Sequence, residues 1–232
     1  MIAIEDFSLN LGDFNLKNIQ LHINEREIFA ILGKTGSGKT VLLESIAGFH
    51  TGNCGSIFLE GNNIKDLSPE KRKIGFVYQD YALFPHMSVL DNITYGLRMN
   101  KMKRAEAEKI ATEMAEELEI AHLLQRNPLT LSGGEQQRTA LARALVLNPR
   151  ILLMDEPFSA LDPKTKNQMY QLIKKIHQQF KCTILFVTHD FAEAQTMAQR
   201  IGIMIDGELR AICSSEQLFQ NYQDQDICDF LL

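Results

Sequence analysis

Gly33-Lys34-Thr35-Gly36-Ser37-Gly38-Lys39-Thr40 is the stretch that decides the fold, because it matches the phosphate-loop pattern G-x-x-x-x-G-K-[ST]. The glycines allow the loop to curl so that successive backbone N–H groups point at phosphate oxygens. In such a loop we expect the Lys39 ammonium to reach the β- and γ-phosphates and the Thr40 hydroxyl to bind Mg²⁺.

The flanks of this loop separate it from an ordinary glycine-rich turn. Glu27-Ile28-Phe29-Ala30-Ile31-Leu32 precedes it as a continuous apolar run, which is typical of a strand buried on both faces. Residues 41–47 follow with helical spacing, and Gly48 predicts where that helix stops. The order strand, loop and helix is the context in which this pattern binds phosphate, and the start of the helix adds a positive dipole end.

Two regular patterns and one helical segment make up the rest of the chain. Short alternating stretches at 7–11, 19–23 and 56–59 predict strands near the N-terminus. Residues from about 99 to 147 have helical periodicity, with Ile110, Met114 and Leu118 on one face and Leu141, Ala144 and Leu145 on another. After residue 150 a β/α alternation predicts strands at 151–154, 183–187 and 201–205, with helices at 164–180 and 191–200.

This alternation indicates a parallel sheet covered by helices on both faces. The predicted fold class is therefore α/β, a phosphate-loop parallel sheet core with an N-terminal antiparallel β sub-domain and an inserted all-helical sub-domain. We expect one domain over 1–232, in which 1–90 and 149–232 form the nucleotide-binding core and 91–148 form the helical part.

Composition narrows the functional classes. The 232 residues are 45% hydrophobic and 23% charged, as in ordinary globular proteins, and the net charge of −5 gives no support to a nucleic-acid partner. Four scattered cysteines without a C-x-x-C pair predict free thiols in a reducing compartment. We expect neither a signal peptide nor a membrane-spanning helix, so that a transport function would need another chain to supply the channel.

A second motif ends the strand predicted at 151–154. Asp155 and Glu156 follow this apolar run directly, and a carboxylate at the tip of a buried strand beside a phosphate loop is placed to hold Mg²⁺. We assign that role to Asp155, and to Glu156 the role of a general base that orients and deprotonates water. The alternative is a helix-capping Asp-Glu pair before Pro157.

A third motif is Leu131-Ser132-Gly133-Gly134-Glu135, at the start of a predicted helix. It offers a hydroxyl and exposed N–H groups beside a positive dipole end, which together make a second anion site. Because one ATP needs only one phosphate loop, the economical explanation is that this site faces the nucleotide of a partner subunit. The alternative is a plain glycine-rich helix start.

These motifs, in this order, resemble the ATP-hydrolysing subunits of ABC transporters over essentially the whole chain. The resemblance adds Gln79 as the Q-loop glutamine, Ser159-Ala160-Leu161-Asp162 as the D-loop and His189 as the switch histidine. Glu135 stands where many members have glutamine. The ATP-binding residues that we predict from the motif and the resemblance are Gly33, Lys34, Thr35, Gly36, Ser37, Gly38, Lys39, Thr40, Val41 and Phe14.

The resemblance also implies roles for the remaining residues. Gln79 would contact Mg²⁺ or the attacking water and sense a membrane partner, and His189 would hold the γ-phosphate. Mg²⁺ would then be bound by Thr40, Gln79 and Asp155. Contacts to the ATP of the opposite subunit are implied for Ser132, Gly133, Gly134, Glu135 and Asp162.

The resemblance further implies the assembly in which the chain works. We expect an ATP-dependent, head-to-tail homodimer attached peripherally to the cytoplasmic face of the cell membrane. Its partners would be integral-membrane permease subunits and, indirectly, an extracytoplasmic solute-binding protein, with no nucleic acid.

Adenine recognition departs from the family pattern. The family usually stacks adenine on an aromatic residue in the first strands, whereas residues 11–14 are Leu-Gly-Asp-Phe, without Tyr or Trp. Either Phe14 stacks on the base or Leu11 supplies plain apolar contact.

Within the family, residues 79–89 resemble importers fed by a solute-binding protein, in which this apolar loop receives a helix from the membrane subunit. We expect residues 81–84 to form an exposed apolar patch there, of the kind that marks a partner site. Residues 11–14, 35–48 and 121–124 are similar to molybdate/tungstate importer ATPases. Many relatives carry a C-terminal β-rich regulatory domain, which we expect to be missing here.

Other functions stay open at this point. The importer could serve sulfate, iron or a polyamine, and a non-transport ABC ATPase would retain the motifs. A phosphate-loop kinase or GTPase would share 33–40 but would need neither 131–135 nor His189. A purely regulatory chain would bind ATP without hydrolysis, which the intact Glu156 and His189 disfavour.

Overall fold

The protein is described here from a computed structural model, which covers residues 1–220 and 222–231. In chain order its strands are β1 (Ile2–Leu11), β2 (Phe14–Ile23), β3 (Ile28–Leu32), β4 (Cys54–Leu59), β5 (Asn62–Asn63), β6 (Gly75–Val77), β7 (Ile151–Asp155), β8 (Thr183–Thr188), β9 (Arg200–Ile205) and β10 (Glu208–Ser214). Its helices are α1 (Lys39–Ala47), α2 (Pro69–Arg72), α3 (Val89–Met99), α4 (Arg104–Glu117), α5 (Gly133–Leu145), α6 (Pro163–Phe180), α7 (Phe191–Met197) and α8 (Gln225–Leu231), with 3₁₀ turns at Ala121–Leu123, Pro128–Thr130 and Ser215–Gln217.

The central sheet has the strand order β10-β9-β3-β8-β7-β6. Neighbours from β9 to β6 are parallel, and β10 pairs antiparallel with β9 at the edge. Every residue of β3, β7 and β8 is buried, as expected for strands covered on both faces. The predicted α/β class with a parallel core is confirmed, and β10 is an addition that the sequence pattern did not reveal.

Alternation along β3 divides the core into two clusters. Phe29 and Ile31 point into one cluster with α1 and the N-terminal strands, while Ala30 and Leu32 point into the other with the helices. The N-terminal strands form a second sheet of order β2-β1-β4-β5, antiparallel throughout. This is the β sub-domain predicted from the alternating stretches, and its strands extend further than those stretches.

The inserted helical segment begins earlier than its periodicity suggested. Helix α3 starts at Val89, where the Ser88 hydroxyl caps it by accepting from the Asp91 N–H. Met114 and Leu118 are buried as predicted, whereas Ile110 and Ala144 are half-buried. The division of the chain at residues 90 and 148 remains a prediction.

One helix boundary was predicted wrongly. The helix expected over 191–200 ends at Met197, and Arg200 already belongs to β9. The chain becomes extended there because Gln199 N donates to Ile28 O at 2.9 Å and Arg200 pairs with Phe29 of β3.

Within the part of the chain that the structure describes, no helix has the length and apolar character needed to cross a membrane.

Candidate functional site

The phosphate loop connects β3 to α1 through two glycines with left-handed backbone. Gly36 has φ of 84° and Gly38 has φ of 102°, conformations that residues with a Cβ rarely adopt. At Gly38 a Cβ would also come within 2.4 Å of the Phe14 ring. Ser37 keeps a buried hydroxyl oxygen for which no hydrogen-bond partner is described. The two glycines therefore allow the tight curl that turns backbone N–H groups toward a phosphate.

Lys39, the first residue of α1, folds back over this loop. Its Nζ donates to the carbonyl oxygens of Gly33 at 2.8 Å and Lys34 at 2.9 Å, and the residue is only 4% exposed. Burial lowers the pKa of Lys39, while the nearby carboxylates of Glu156 and Asp155 oppose that shift. Neutral carbonyls hold the ammonium loosely compared with phosphate, so a triphosphate could replace them as its partner.

Asp155 ends β7 directly beside the second residue of α1. The Thr40 hydroxyl donates to Asp155 Oδ1 at 3.0 Å, and Asp155 is 5% exposed. Burial raises the pKa of Asp155, and the hydrogen bond from Thr40 lowers it again. Two residues that lie 115 positions apart in sequence thus meet as a pair of oxygen ligands.

Glu156 stands between the ammonium of Lys39 and the imidazole of His189. Its Oε1 lies 3.8 Å from Lys39 Nζ, and its Oε2 accepts from His189 Nδ1 at 2.9 Å. The backbone of Glu156 has φ of 41°, a conformation that residues other than glycine seldom adopt. The turn is held by Glu156 N, which donates to Val187 O at 3.1 Å.

Strand order explains why these residues converge. In the sheet β8 lies between β3 and β7, with Leu32 opposite Thr188 and Asp155 opposite Val187. Parallel strands end at the same edge, so the loops after β3, β7 and β8 share one crevice. Such a crevice at the carboxyl ends of a parallel sheet is where α/β proteins bind their ligands.

Gln79 follows β6 at the far end of this edge. It is exposed and lines an open cavity of about 500 Å³ with Tyr78, Asp80, Asp155, Ser159 and Ala160. The structure thus brings Gln79 to the same cavity as Asp155.

The loop after Gln79 is less exposed than its apolar sequence suggested. We expected Tyr81, Ala82, Leu83 and Phe84 to form an exposed apolar patch. Ala82 is exposed, but Tyr81 is only 6% exposed, and Leu83 and Phe84 are half-buried. Arg143 of α5 donates to Tyr81 O at 2.8 Å and to Ala82 O at 2.7 Å, and its guanidinium lies 5.3 Å from the Phe84 ring centre. This arginine ties the loop to the helix that begins at Gly133.

The third motif forms a closed hydrogen-bond pair at the start of α5. Ser132 Oγ accepts from Glu135 N at 3.4 Å, and Glu135 Oε2 accepts from Ser132 N and Ser132 Oγ, both at 2.8 Å. This is a capping box, the arrangement that satisfies the free N–H groups at a helix start. These hydrogen bonds lower the pKa of Glu135, the backbone bond from Ser132 contributing most.

Asp162 also acts as a helix cap. Its Oδ1 accepts from Lys164 N at 3.0 Å and Thr165 N at 3.2 Å at the start of α6. A Cβ at Gly134 would come within 2.9 Å of Thr165 Cγ2, so the start of α5 packs against the first turn of α6. The third motif and the residues 159–162 are therefore neighbours in this chain.

Phe14 lies against the phosphate loop, with its ring over Gly38. Leu11, at the end of β1, is 37% exposed. Leu11 pairs with Phe14 across the two strands, and the choice between them as the adenine contact stays a prediction.

Oxygen atoms dominate the groups around Asp155, which suits Mg²⁺. Among the described residues no cluster of three or more His, Cys, Asp or Glu side chains could hold a metal ion alone. Mg²⁺ commonly uses one or two carboxylates together with substrate phosphates and water, and needs no such cluster. The Thr40–Asp155 pair fits this mode of binding.

The phosphate loop, the strand-end carboxylates and the His189–Glu156 contact together define a phosphate-loop ATPase. A sequence profile of the ABC transporter family matches residues 16–159, well over half of the chain. The chain belongs to the ABC transporter family, and it is an ATPase of that type.

Two relatives differ in the solute that their names state. The molybdate/tungstate import ATP-binding protein WtpC of Pyrococcus horikoshii is 46% identical over 231 residues, which cover 100% of this chain and 67% of that protein. The spermidine/putrescine import ATP-binding protein PotA of Roseobacter denitrificans is 44% identical over 221 residues, covering 95% of this chain and 61% of that protein.

A solved structure agrees with the fold. The ATP-binding cassette MJ0796, in a dimeric post-hydrolysis state bound to ADP and Pi, matches with a TM-score of 0.83 at 33% identity. The match covers 93% of this chain and 99% of that chain. The predicted fold class is therefore confirmed by the structure and by this neighbour.

Sequence reasoning missed two groups of residues beside the site. Arg143 anchors the loop after Gln79, and Lys166 and Glu193 form an ion pair of 2.6 Å behind the segment that carries His189. A signal for the pair was present, since Lys166 lies four residues after Asp162 and Glu193 four after His189. Lys166 lies one helical turn after Asp162, and Glu193 lies in the first turn of the helix that follows His189.

Proposed function

We propose that this chain is the ATP-hydrolysing subunit of an importer for molybdate or tungstate. It would act as a head-to-tail homodimer on the cytoplasmic face of the membrane, beneath permease subunits that receive solute from an extracytoplasmic binding protein. The observation that carries the ATPase part is the convergence of Lys39, Glu156 and His189, with contacts of 3.8 and 2.9 Å about one carboxylate.

In the proposed reaction the phosphate loop binds ATP through its N–H groups. The Lys39 ammonium exchanges its carbonyl partners for the β- and γ-phosphates, and Thr40, Asp155 and Gln79 hold Mg²⁺. Mg²⁺ supplies neutralising charge on the phosphate oxygens. As the water oxygen bonds to the γ-phosphorus and the bond from that phosphorus to the ADP oxygen breaks, Glu156 accepts the water proton. His189, held by Glu156, contacts the γ-phosphate.

The second half of each ATP site would come from the other subunit. Ser132, with the N–H groups of the α5 start, is proposed to bind the γ-phosphate across the dimer. This requires the Ser132 hydroxyl to leave Glu135, to which it donates at 2.8 Å in the isolated chain. The packing of α5 against α6 supports a joint movement of the third motif with Asp162.

The solute assignment is supported by local sequence similarity and by relatives. Residues 11–14, 35–48 and 121–124 resemble molybdate/tungstate importer ATPases, and the Pyrococcus horikoshii relative carries that name. The polyamine-named relative is only two percentage points lower in identity, at 44% against 46%, so a polyamine is the second candidate. Discrimination between solutes occurs in other chains, and this subunit responds to the loaded permease.

The test is the ATPase rate of the complete transporter, reconstituted in lipid with its permease and its binding protein. We expect molybdate or tungstate on the binding protein to stimulate hydrolysis, and sulfate to stimulate less because it is a smaller tetrahedral dianion. Spermidine, a sugar and phosphate serve as controls, and the Glu156→Gln transporter gives the background rate. Stimulation by spermidine or the sugar, with none by any oxyanion, would overturn the solute assignment and leave the ATPase assignment intact.

A further inference from the structure

An ion pair between the half-buried Lys166 and the buried Glu193 joins the segment around His189 to helix α6. Glu193, in the first turn of α7, is 3% exposed, and its Oε1 accepts from Lys166 Nζ at 2.6 Å. Carboxylates are rarely buried to this degree unless they are paired. The proposed reaction uses neither residue.

The same carboxylate fixes both sequence neighbours of His189. Its Oε2 accepts from the Thr188 hydroxyl at 2.5 Å, and that hydroxyl oxygen accepts from Asp190 N at 3.0 Å. Lys166 Nζ also lies 3.6 Å from Asp190 Oδ2. His189 is thus carried on a short segment whose two ends are bonded to one ion pair.

The lysine of this pair belongs to the helix that Asp162 caps. Lys166 N donates to Asp162 O at 2.8 Å, which places the lysine one turn into α6. A displacement of Asp162 would therefore act on Lys166 and, through its ion pair, on Glu193. The ion pair thus links residues 159–162 to the segment around His189, although the two are distant in sequence.

Stability alone is a weak explanation for such a pair. The cost of removing the Glu193 carboxylate from water offsets much of its attraction to Lys166, and apolar residues of similar size commonly replace such pairs without loss of stability. The bonds of this pair are instead directed at the ends of the His189 segment, where small displacements change the distance to Glu156.

We propose that Lys166 and Glu193 are positioning residues that hold His189 in place for ATP hydrolysis. The proposal rests on the function proposed above for His189. It predicts that loss of the lysine acts on the chemical step, through the histidine, and leaves the phosphate loop and its affinity for ATP intact.

The test compares Lys166→Met with Lys175→Met, a matched change on the same helix. Lys175 makes an ion pair with Glu117 at 3.4 Å, but its side chain is 59% exposed and far less buried than the lysine under test. We expect Lys166→Met to lower kcat on the order of 10- to 100-fold, as small misplacements of catalytic groups do, with KM for ATP almost unchanged. Lys175→Met should keep wild-type kcat, and Lys166→Arg should recover most of the lost rate.

A double-substitution cycle with His189→Ala separates positioning from general damage. If the lysine acts through the histidine, adding Lys166→Met to His189→Ala should lower kcat no further. Because Lys166→Met leaves a buried carboxylate unpaired, Lys166→Met/Glu193→Gln is measured beside it. This double variant removes both charges and is expected to fold with kcat still reduced.

Two results would contradict the positioning role of Lys166 and Glu193, and a third would contradict the role proposed for His189. Wild-type kcat in Lys166→Met, or in the folded double variant, overturns the positioning role. A full multiplicative loss when Lys166→Met is added to His189→Ala overturns it too. Wild-type kcat in His189→Ala alone contradicts the proposed role of the histidine, which is a separate failure.

Discussion

At the scale of single residues, Glu156 combines an unfavourable backbone conformation with a position between two cationic or protonatable groups. Its φ of 41° is of the kind that costs about 1–3 kcal/mol in residues with a side chain. Such strain tends to persist at functional sites, and here the strained backbone directs the carboxylate between Lys39 and His189.

Replacing Glu156 with Gln should preserve ATP binding and reduce hydrolysis by about 10²- to 10⁴-fold, because one general base is lost. Binding is measured by equilibrium titration with a fluorescent ATP analogue, and hydrolysis by phosphate release. Glu113→Gln, on the exposed face of α4, is the control. Turnover within a factor of three of the wild type in Glu156→Gln would remove Glu156 from the base role.

Glu135 carries a full negative charge at the helix start that we propose to meet phosphate. Its carboxylate already accepts from the N–H and hydroxyl of Ser132, so it occupies donors that an anion would use. A carboxylate at this place stabilises the free helix start and opposes an incoming γ-phosphate through like-charge repulsion.

Glu135→Gln should therefore ease ATP-driven dimerisation, since the amide oxygen can still accept from Ser132 N while the charge is gone. A helix-end charge is worth about 0.3–1 kcal/mol, so the ATP concentration for half dimerisation should fall roughly two- to fivefold. Light scattering over a series of ATP concentrations, in the Glu156→Gln background, measures the fraction of dimer. A rise in the required ATP concentration would contradict the repulsion argument.

At the scale of elements, α1 is held at both of its ends. Gly38 provides the turn at its start, and at its other end Arg72 Nη1 donates to Ser45 O and Ile46 O, both at 2.8 Å. The same guanidinium donates to Leu67 O and Lys65 O at 2.8 and 2.7 Å, and Arg72 is 6% exposed. Burial lowers the pKa of Arg72. One arginine thus fastens the phosphate-loop helix to the segment before β6.

Arg72→Met should destabilise the protein, because the two buried carbonyls of Ser45 and Ile46 lose the donor that Arg72 provides. Each buried acceptor left without a partner costs about 1–3 kcal/mol. In a chain of this size, the loss of one such bond lowers Tm by roughly 2–12 °C. The neighbouring Lys71→Met, on the exposed side of α2, should leave Tm nearly unchanged. Differential scanning calorimetry compares the two, and equal Tm values would show that α1 needs no anchor from Arg72.

At the scale of the whole molecule, the proposed active unit is a pair of chains. A single chain supplies a phosphate loop, two strand-end carboxylates and a histidine in one crevice, but the Ser132 hydroxyl bonds to its own capping partner, Glu135. The dimeric cassette MJ0796 has the same fold, which supports the proposal that two chains assemble around ATP.

Ser132→Arg should abolish ATP-driven dimerisation while the monomer still binds ATP. Ser132 is exposed, so the larger side chain has room in the free chain but would meet the partner's loop in the dimer. Gel filtration with ATP, in the Glu156→Gln background, measures the effect, and Gln125→Arg, an exposed change of equal charge, is the control. A shift to dimer in Ser132→Arg would contradict the proposed arrangement.

Local patterns determined the fold class and most of the candidate site. The phosphate loop, the carboxylates after β7 and the glycines after Ser132 are all motifs in which neighbouring residues do one task, so a short stretch is sufficient to recognise them. The buried runs of β3, β7 and β8 predicted a parallel core for the same reason, because burial on both faces leaves no polar alternation. Boundaries were less secure, as the early end of α7 shows.

Contacts between distant segments could only come from the tertiary structure. Tyr81 is apolar by sequence and was expected at the surface, yet Arg143, 62 residues away, holds its loop down. Arg72 caps a helix that ends 25 residues before it, and Lys166 meets Glu193 across 27 residues. Such pairs follow no fixed spacing, because strand order and packing bring them together. The sequence alone therefore determined which chemistry the chain carries, and the folded arrangement decided which residues hold that chemistry in position.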